Sequence, residues 1–533
     1  MKFDRFARAA RIFLAAACLA APAAAADAKT FKWANDGDVN SMDPYARNET
    51  FLLSFMLNVY EPLIRRDAQL RLEPALAAEW TQTAPTVWRF RLRPNVRFHG
   101  GEAFGADDVV FSWKRAIGGG SNIKSYFSSV KDVRATDAMT IEIETVEVNP
   151  ILPEEISNWA IMSKAWAEKN NATVAADLTK NEESFATRNA NGTGPFVLKS
   201  RDPDVKTVLA PNPGWWDKPQ HNLTDVQFFR VANDATRVAA LLSGEVDMVY
   251  TVPPQDTDRI SKTAGLKLVE GPELRTIYLG FDTLRPELQE SSVKGKNPFQ
   301  DRRVREAVYR AIDIQAINAR IMRGQSRPTG LMLGAGVNGF NPDLNGRLAP
   351  LDPEAAKKLL ADAGYPSGFE VGMDCPNDRY VNDEQICAAV VAMLARIEVK
   401  VNLNAQTRAR FFAKVNAPGF NTSFYLLGWT PNTYDAHNVF LNLVHCRDAA
   451  RARGMFNNGG YCNQAIDKLT DAIALETDKA KRQGLINDAQ KLLREDFGYI
   501  PLHQQMIVWA MKSNIELVQM ADNIFPLRLV TVK

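Results

Sequence analysis

Five cysteines, five histidines and one glycine-rich loop are the features of this 533-residue chain whose types and spacing invite chemistry. The histidines, His99, His221, His437, His445 and His503, are dispersed. Neither H-E-x-x-H nor G-x-S-x-G occurs, so the usual zinc and serine hydrolase signatures are missing. Four cysteines, Cys375, Cys387, Cys446 and Cys462, lie in the body of the chain without a C-x-x-C, and His437 and His445 lack zinc-finger spacing. In an oxidising compartment an even four reads as two disulfides. Three pairings are possible. The local one, Cys375 with Cys387 and Cys446 with Cys462, is preferred, each closing a loop of about a dozen to sixteen residues worth roughly 3 kcal/mol.

The glycine pattern G-x-G-x-x-G at Gly334, Gly336 and Gly339 fails as a dinucleotide loop. Such a loop needs a helix directly behind it, whereas Phe340, Asn341, Pro342 and Asp343 form a turn signal. The phosphate-binding pattern G-x-x-x-x-G-K-[ST] is absent. No catalytic residue, cofactor or metal is therefore expected. Trp429 is more informative. It ends a strand-like stretch, 422–428, and opens into a polar loop carrying Asn432, Asp435 and Asn438. A flat aromatic wall beside hydrogen-bonding side chains suits a ligand site.

Elements must position these groups. Over 86–98 the apolar Trp88, Phe90, Leu92, Val96 and Phe98 alternate with Arg89, Arg91, Arg93 and Arg97, the pattern of a half-buried strand or hairpin arm. A turn at 99–101 and a helix over 107–116 follow, and 139–146 alternates again. Helices are expected over 301–323, from Asp352-Pro353-Glu354 to Gly364, and over 383–397, 463–477 and 478–495, with a strand at 399–403. Strands and helices intersperse, so the class is α/β or α+β. No repeat or low-complexity linker separates domains, and these are expected to be interleaved.

Composition is ordinary for a globular chain, 24% charged and 46% hydrophobic, and the length allows two or three domains. Residues 1–26 are set apart. Lys2, Arg5, Arg8 and Arg11 precede an apolar run over 12–21, then Pro22 and small residues, which is the order of a secretory signal peptide. The run is half of the roughly 20 residues a spanning helix needs. Cleavage after Ala26 fits the small-residue rule through Ala24, with Ala28 the other candidate. Lipidation at Cys18 is the alternative, disfavoured because the apolar run continues past it and Ala15 stands where Leu is usual. The segment carries +3 of a total of +2, leaving −1 for the body and no basic face for nucleic acid.

Taken together, the chain resembles the bacterial family 5 extracytoplasmic solute-binding proteins, which include the dipeptide- and oligopeptide-binding proteins of ABC importers. The resemblance runs through WRFRLRPNVRFHGGEAFGADDVVFSWKR (88–115), GTGPFVL (192–198), ALLSGEVDMV (240–249), DRRVREAVYRAID (301–313) and DPEAAKKLLADAGYP (352–366). It implies an α/β, two-lobed periplasmic binding protein of the Venus-flytrap kind (type II, cluster C) with an extra inserted domain. Lobe I would comprise 27–60, 192–284 and 505–533, the inserted domain 61–191 and lobe II 285–504, with crossings near 284 and 504. Relatives often have a cysteine pair after the Gly-Trp loop, which supports Cys446 with Cys462.

The implied function is capture of small peptides or peptide-like solutes in the periplasm and delivery to an ABC permease with its ATPases, by a monomer without catalysis. A nickel chelate, haem, glutathione or an opine is the alternative solute, and a periplasmic peptidase the remote one. In dipeptide-binding relatives an acid three residues after the Gly-Trp tryptophan pairs with the ligand ammonium. Here that position is Asn432, which brings no charge; either Asp435 substitutes for it or the ligand lacks a free amino terminus. Arg379 in PNDRY matches the region of the carboxylate-binding residue. Asp38, Val39 and Asn40 are expected to line the cleft from lobe I.

Overall fold

The computed structural model describes residues 29–180 and 182–533, and the expected signal peptide with Cys18 lies outside them. The chain begins with β1 (Thr30–Asn35) and a short helix, α1 (Thr50–Met56). A separate antiparallel sheet follows, in the order β2 (Ala77–Ala84), β3 (Val87–Leu92), β5 (Thr140–Thr145), β4 (Val130–Asp137). In β3 Phe90 and Leu92 are buried while Arg89 and Arg91 face water, the alternation expected from the sequence. The strand stops earlier than expected. Pro94 has no N–H for the ladder and Asn95 takes a left-handed turn conformation, φ 61°.

Between β3 and β4 lies α2 (Ala106–Ile117), from which Arg115 reaches back to the loop after β1. Its guanidinium pairs with both oxygens of Asp43, at 2.8 and 2.5 Å, and both side chains are completely buried. One core runs through this sheet and the first strands, from Trp33 and Phe55 to Phe90, Ile141, Trp159 and Trp509. The four-stranded sheet and the first strands of the chain thereby share one core. A short helix, α3 (Leu152–Glu155), follows this sheet in the chain.

The remaining strands build one large sheet: β6 (Phe196–Asp202), β7 (Lys206–Pro211), β8 (Asp225–Arg230), β9 (Met248–Val249) and the long β10 (Leu266–Phe281). After β10 come α4 (Arg302–Ala311), α5 (Pro353–Asp362), β11 (Phe369–Pro376), α6 (Asp383–Leu394), β12 (Val399–Gln406), β13 (Phe424–Trp429), α7 (Gln464–Leu475), α8 (Lys479–Glu495) and β14 (Tyr499–Lys512). Strand order is β12-β11-β13-β10-β14-β9-β1-β8-β7-β6, with Ser326–Pro328 as an eleventh strand on β14. The pairs β11–β12, β11–β13, β1–β8 and β1–β9 are parallel, the others antiparallel.

Both lobes share this sheet through β10 and β14. Leu266–Pro272 pairs with residues 506–512, beside β9 and the lobe I cores; Thr276–Phe281 pairs with residues 499–504 and with β13, beside the lobe II cores. Register slips between Pro272 and Thr276, so the change of neighbours lies within β10, whereas position 284 is beyond its end. The expected single helix over 301–323 is another difference. It breaks after Ala311: Ile312 is extended, and Asp313 starts a new turn by accepting from the Ala316 amide at 2.9 Å.

Candidate functional site

Strand β13 delivers Gly428 and Trp429 to its C-terminal end, where three other elements converge. The Tyr380 hydroxyl donates to the Gly428 carbonyl at 3.2 Å. Arg379 lies with its guanidinium carbon 5.1 Å from the Tyr380 ring centroid, and Arg275 of β10 approaches the same ring at 5.7 Å. Arg275 also donates from Nε to Thr430 at 3.1 Å and lies 2.9 Å from Glu273. Burial lowers the pKa of Arg275 from its ordinary value; Glu273 opposes this and Arg379 adds to it. The Arg379 side chain makes no hydrogen bond or ion pair among the described residues, leaving its donors open to a carboxylate.

The loop carrying Arg379 is held at both ends. Cys375 at the end of β11 is bonded to Cys387 in α6, and Asp383 accepts from the amides of Arg379 and Tyr380 at 3.0 and 2.9 Å. Burial pushes the Asp383 carboxyl up to about 6, against these hydrogen bonds. Cys446 is bonded to Cys462, so both local pairings are formed.

Asp435 is not available to a ligand. It is fully buried, and Arg482 grips both of its oxygens at 2.7 and 2.8 Å. Asn338 donates to one oxygen at 2.7 Å and the His437 amide to the other at 2.8 Å. With four donors on two oxygens the carboxylate is satisfied inside the protein, and its expected role as ammonium partner is corrected to that of an internal counter-ion and helix cap. The glycine-rich loop serves this packing. A Cβ on Gly339, at φ 94°, would meet Ala436 at 2.8 Å and Ile486 at 2.9 Å.

Asn432 ends a hydrogen-bond relay that starts at Trp429, and it meets the other lobe at Tyr126. Trp429 Nε1 donates to Asn438 at 3.0 Å, and Asn438 Nδ2 donates to Asn432 Oδ1 at 2.6 Å. The Asn432 side chain lies beside the Tyr126 hydroxyl, whose own hydrogen bond goes to Asn48 at 3.1 Å. Tyr126 belongs to the inserted domain and Asn48 to the segment before α1. Tyr434 makes a second crossing. Its hydroxyl accepts from Asn158 and donates to Asp522, each at 3.0 Å, while Arg66 lies 3.9 Å over its ring. A third is the ion pair of Arg408 with Glu49 at 3.5 Å.

On lobe I, Val39 is completely buried and offers only backbone, its carbonyl already accepting from Arg201; as a cleft-lining side chain it is corrected. Asn40 is exposed. Asp38 is partly buried; burial and Asp204 raise its pKa while Arg201 lowers it. No hydrogen bond or ion pair joins these three side chains to the Trp429 group among the described residues. Sequence reasoning singled out none of Arg275, Tyr380 and Tyr126. Tyr380 adjoins Arg379 and was within reach of the motif; the others carry no local signal.

Residues 71–451 match the profile described as bacterial extracellular solute-binding proteins, family 5 Middle. The glutathione-binding protein GsiB of Salmonella typhimurium is 24% identical over 513 residues, 95% of this chain and 94% of that protein. The periplasmic binding protein DppA of Helicobacter pylori, solved with the peptide STSA, superposes with a TM-score of 0.79 at 22% identity, over 94% of this chain and 98% of the other. The dipeptide-binding protein of Pseudoalteromonas sp. SM9913, solved with Met-Leu, also gives 0.79 at 22% identity, over 95% and 100%. With its two-lobed fold and a matched region covering most of its length, the chain belongs to family 5 of the bacterial extracellular solute-binding proteins.

Proposed function

We propose that the solute is a di- or oligopeptide, or a peptide-like compound, held between the lobes with its carboxylate at Arg379 and its backbone along Trp429 and Asn432. The observation that carries this is the convergence of Arg379 and Arg275 on Tyr380 beside the Gly428–Thr430 edge. Two guanidiniums flanking one ring, one of them without an internal partner, make a receptor for an acid terminus. Relatives named for glutathione and for dipeptides support the class of solute. No step of catalysis is proposed. The protein would act in the periplasm as a monomer: the solute favours the closed arrangement of the lobes, and a membrane permease with its ATPases reads that arrangement.

Melting curves with a free dipeptide and its C-terminal amide test this. A dipeptide at about 100 times its dissociation constant should add about 2.7 kcal/mol of stability. Arg379→Ala should weaken the free acid at least about tenfold, a loss of about 1.4 kcal/mol, and affect the amide much less. Equal weakening of both, or no stabilisation by any di- or tripeptide, refutes the reading.

A further inference from the structure

We propose that Glu155, on the inserted domain, holds the positively charged amine of the solute, supplying the carboxylate that Asn432 does not. This rests on the peptide reading of the cleft.

Glu155 ends α3, and both of its hydrogen bonds fall on one oxygen. Ser129 Oγ donates to Oε2 at 3.0 Å and Asn149 Nδ2 at 2.7 Å. The other oxygen, Oε1, accepts from no described residue and is not among the buried atoms sealed from solvent. Two donors fixing one oxygen orient the other like a preset hook. The segment lies against lobe II at Tyr434. Three residues after Glu155, Asn158 donates to the Tyr434 hydroxyl at 3.0 Å, and Arg66, the partner of Glu154, lies 3.9 Å over the Tyr434 ring. Asp435, next to Tyr434 in the chain, and its partner Arg482 are the lobe II charges that bear on Glu155. Those two are already paired with each other, and the adjacent Glu154 turns away to Arg66.

Several buried acids of this protein come with a cation, Asp43 with Arg115, Asp435 with Arg482 and Glu273 with Arg275, and others are held by neutral donors on both oxygens, Asp383 by the amides of Arg379, Tyr380 and Glu384 and Asp522 by Tyr434 and the Ile524 amide. Glu61 has no ion pair, but Trp215, Trp216 and Thr193 satisfy both of its oxygens. Glu155 has neither a cation nor a partner for Oε1. Burial pushes its carboxyl up to about 7, with Asp435 adding to the rise and Asn149, Ser129 and Arg482 opposing it. An ammonium group placed at Oε1 would supply the missing charge, ionise the carboxyl and release its proton to solvent.

The test uses the mature protein and Glu155→Gln, whose amide oxygen keeps both existing hydrogen bonds. A pool of di- and tripeptides of Ala, Leu, Phe and Ser with free amino termini, and the same pool N-acetylated, is offered to each and retention read by native mass spectrometry. Expected is retention of the free pool by the wild type, at least about tenfold weaker retention of the acetylated pool, and loss of that preference in Glu155→Gln. For a retained peptide, calorimetry in two buffers at about pH 6 should show close to one proton released per peptide by the wild type and none by Glu155→Gln. Retention of both pools alike, or an unchanged preference in Glu155→Gln, overturns the role of Glu155 and leaves the peptide reading standing. Retention of neither pool overturns both.

Discussion

Replacing Asp435 by Asn should destabilise the protein without touching the solute. The carboxylate is fully buried and Arg482 is 8% exposed, so water cannot replace what the substitution removes. Asparagine keeps one acceptor oxygen, enough for the His437 amide and one Arg482 donor. Its own NH2 group then faces the Asn338 amide and the second Arg482 nitrogen, both donors. Breaking one side of a buried pair costs about 3–5 kcal/mol, because the remaining guanidinium is left without its counter-charge. Urea denaturation followed by fluorescence should show the unfolding free energy lowered by that amount, with the midpoint at lower urea. Adding Arg482→Met should recover much of it, since the pair is then replaced by apolar contact. An unchanged midpoint in Asp435→Asn, accompanied by a large loss of peptide affinity, would refute this reasoning and restore Asp435 as a ligand group.

Two further outcomes are expected. Serine at both Cys375 and Cys387 should lower stability by about 3 kcal/mol through the reopened loop and also weaken free-acid dipeptides, since the loop of Arg379 loses a tether; stability loss without any change in affinity would detach the disulfide from the site. His503 is buried without a hydrogen bond on either nitrogen, and burial lowers its pKa from 6.5 to about 4. As pH falls from 6.5 to about 4 the unfolded chain takes up a proton that the folded chain refuses, so about 3 kcal/mol of stability present at neutral pH is lost by about pH 4. His503→Leu should remove that part of the acid limb, and parallel pH profiles of variant and wild type would contradict it.

Much of the architecture was legible because its signals are local. The alternation around Phe90 and Leu92, the Asp352 cap and the terminator Gly364 each act within a few residues. The break at Ile312 was hidden because Val304, Val308 and Ile317 stay in one core on either side of it, so apolar spacing continues across it. At the proposed site, Trp429 was singled out by its place at the end of a strand-like stretch and Arg379 by the family resemblance. Asp435 was misread because its partner, Arg482, is 47 positions away and nothing in the loop itself announces it. Tyr126 and Glu155 carried no local signal either: Tyr126 donates to Asn48, 78 positions away, and Glu155 accepts from Ser129, 26 positions away.

The course of β10 joins recognition to movement. Its register slips between Pro272 and Thr276, and within that interval stand Glu273 and Arg275. Glu273 accepts from Gln505 of β14 at 2.8 Å, while Arg275 reaches Thr430 and the Tyr380 ring in lobe II. Rotation of the lobes about this interval would therefore move Arg275 and Arg379 together against lobe I, since both pack on the Tyr380 ring. On the peptide proposal, a solute that also touches lobe I interacts differently with the two arrangements, and that difference is what a population shift requires. A carboxylate contacting the two guanidiniums alone would add affinity to either arrangement and drive no closure. Coupling to closure would then reside in contacts made across the strand where the lobes join, with Trp429 and Asn432 as the wall on the lobe II side.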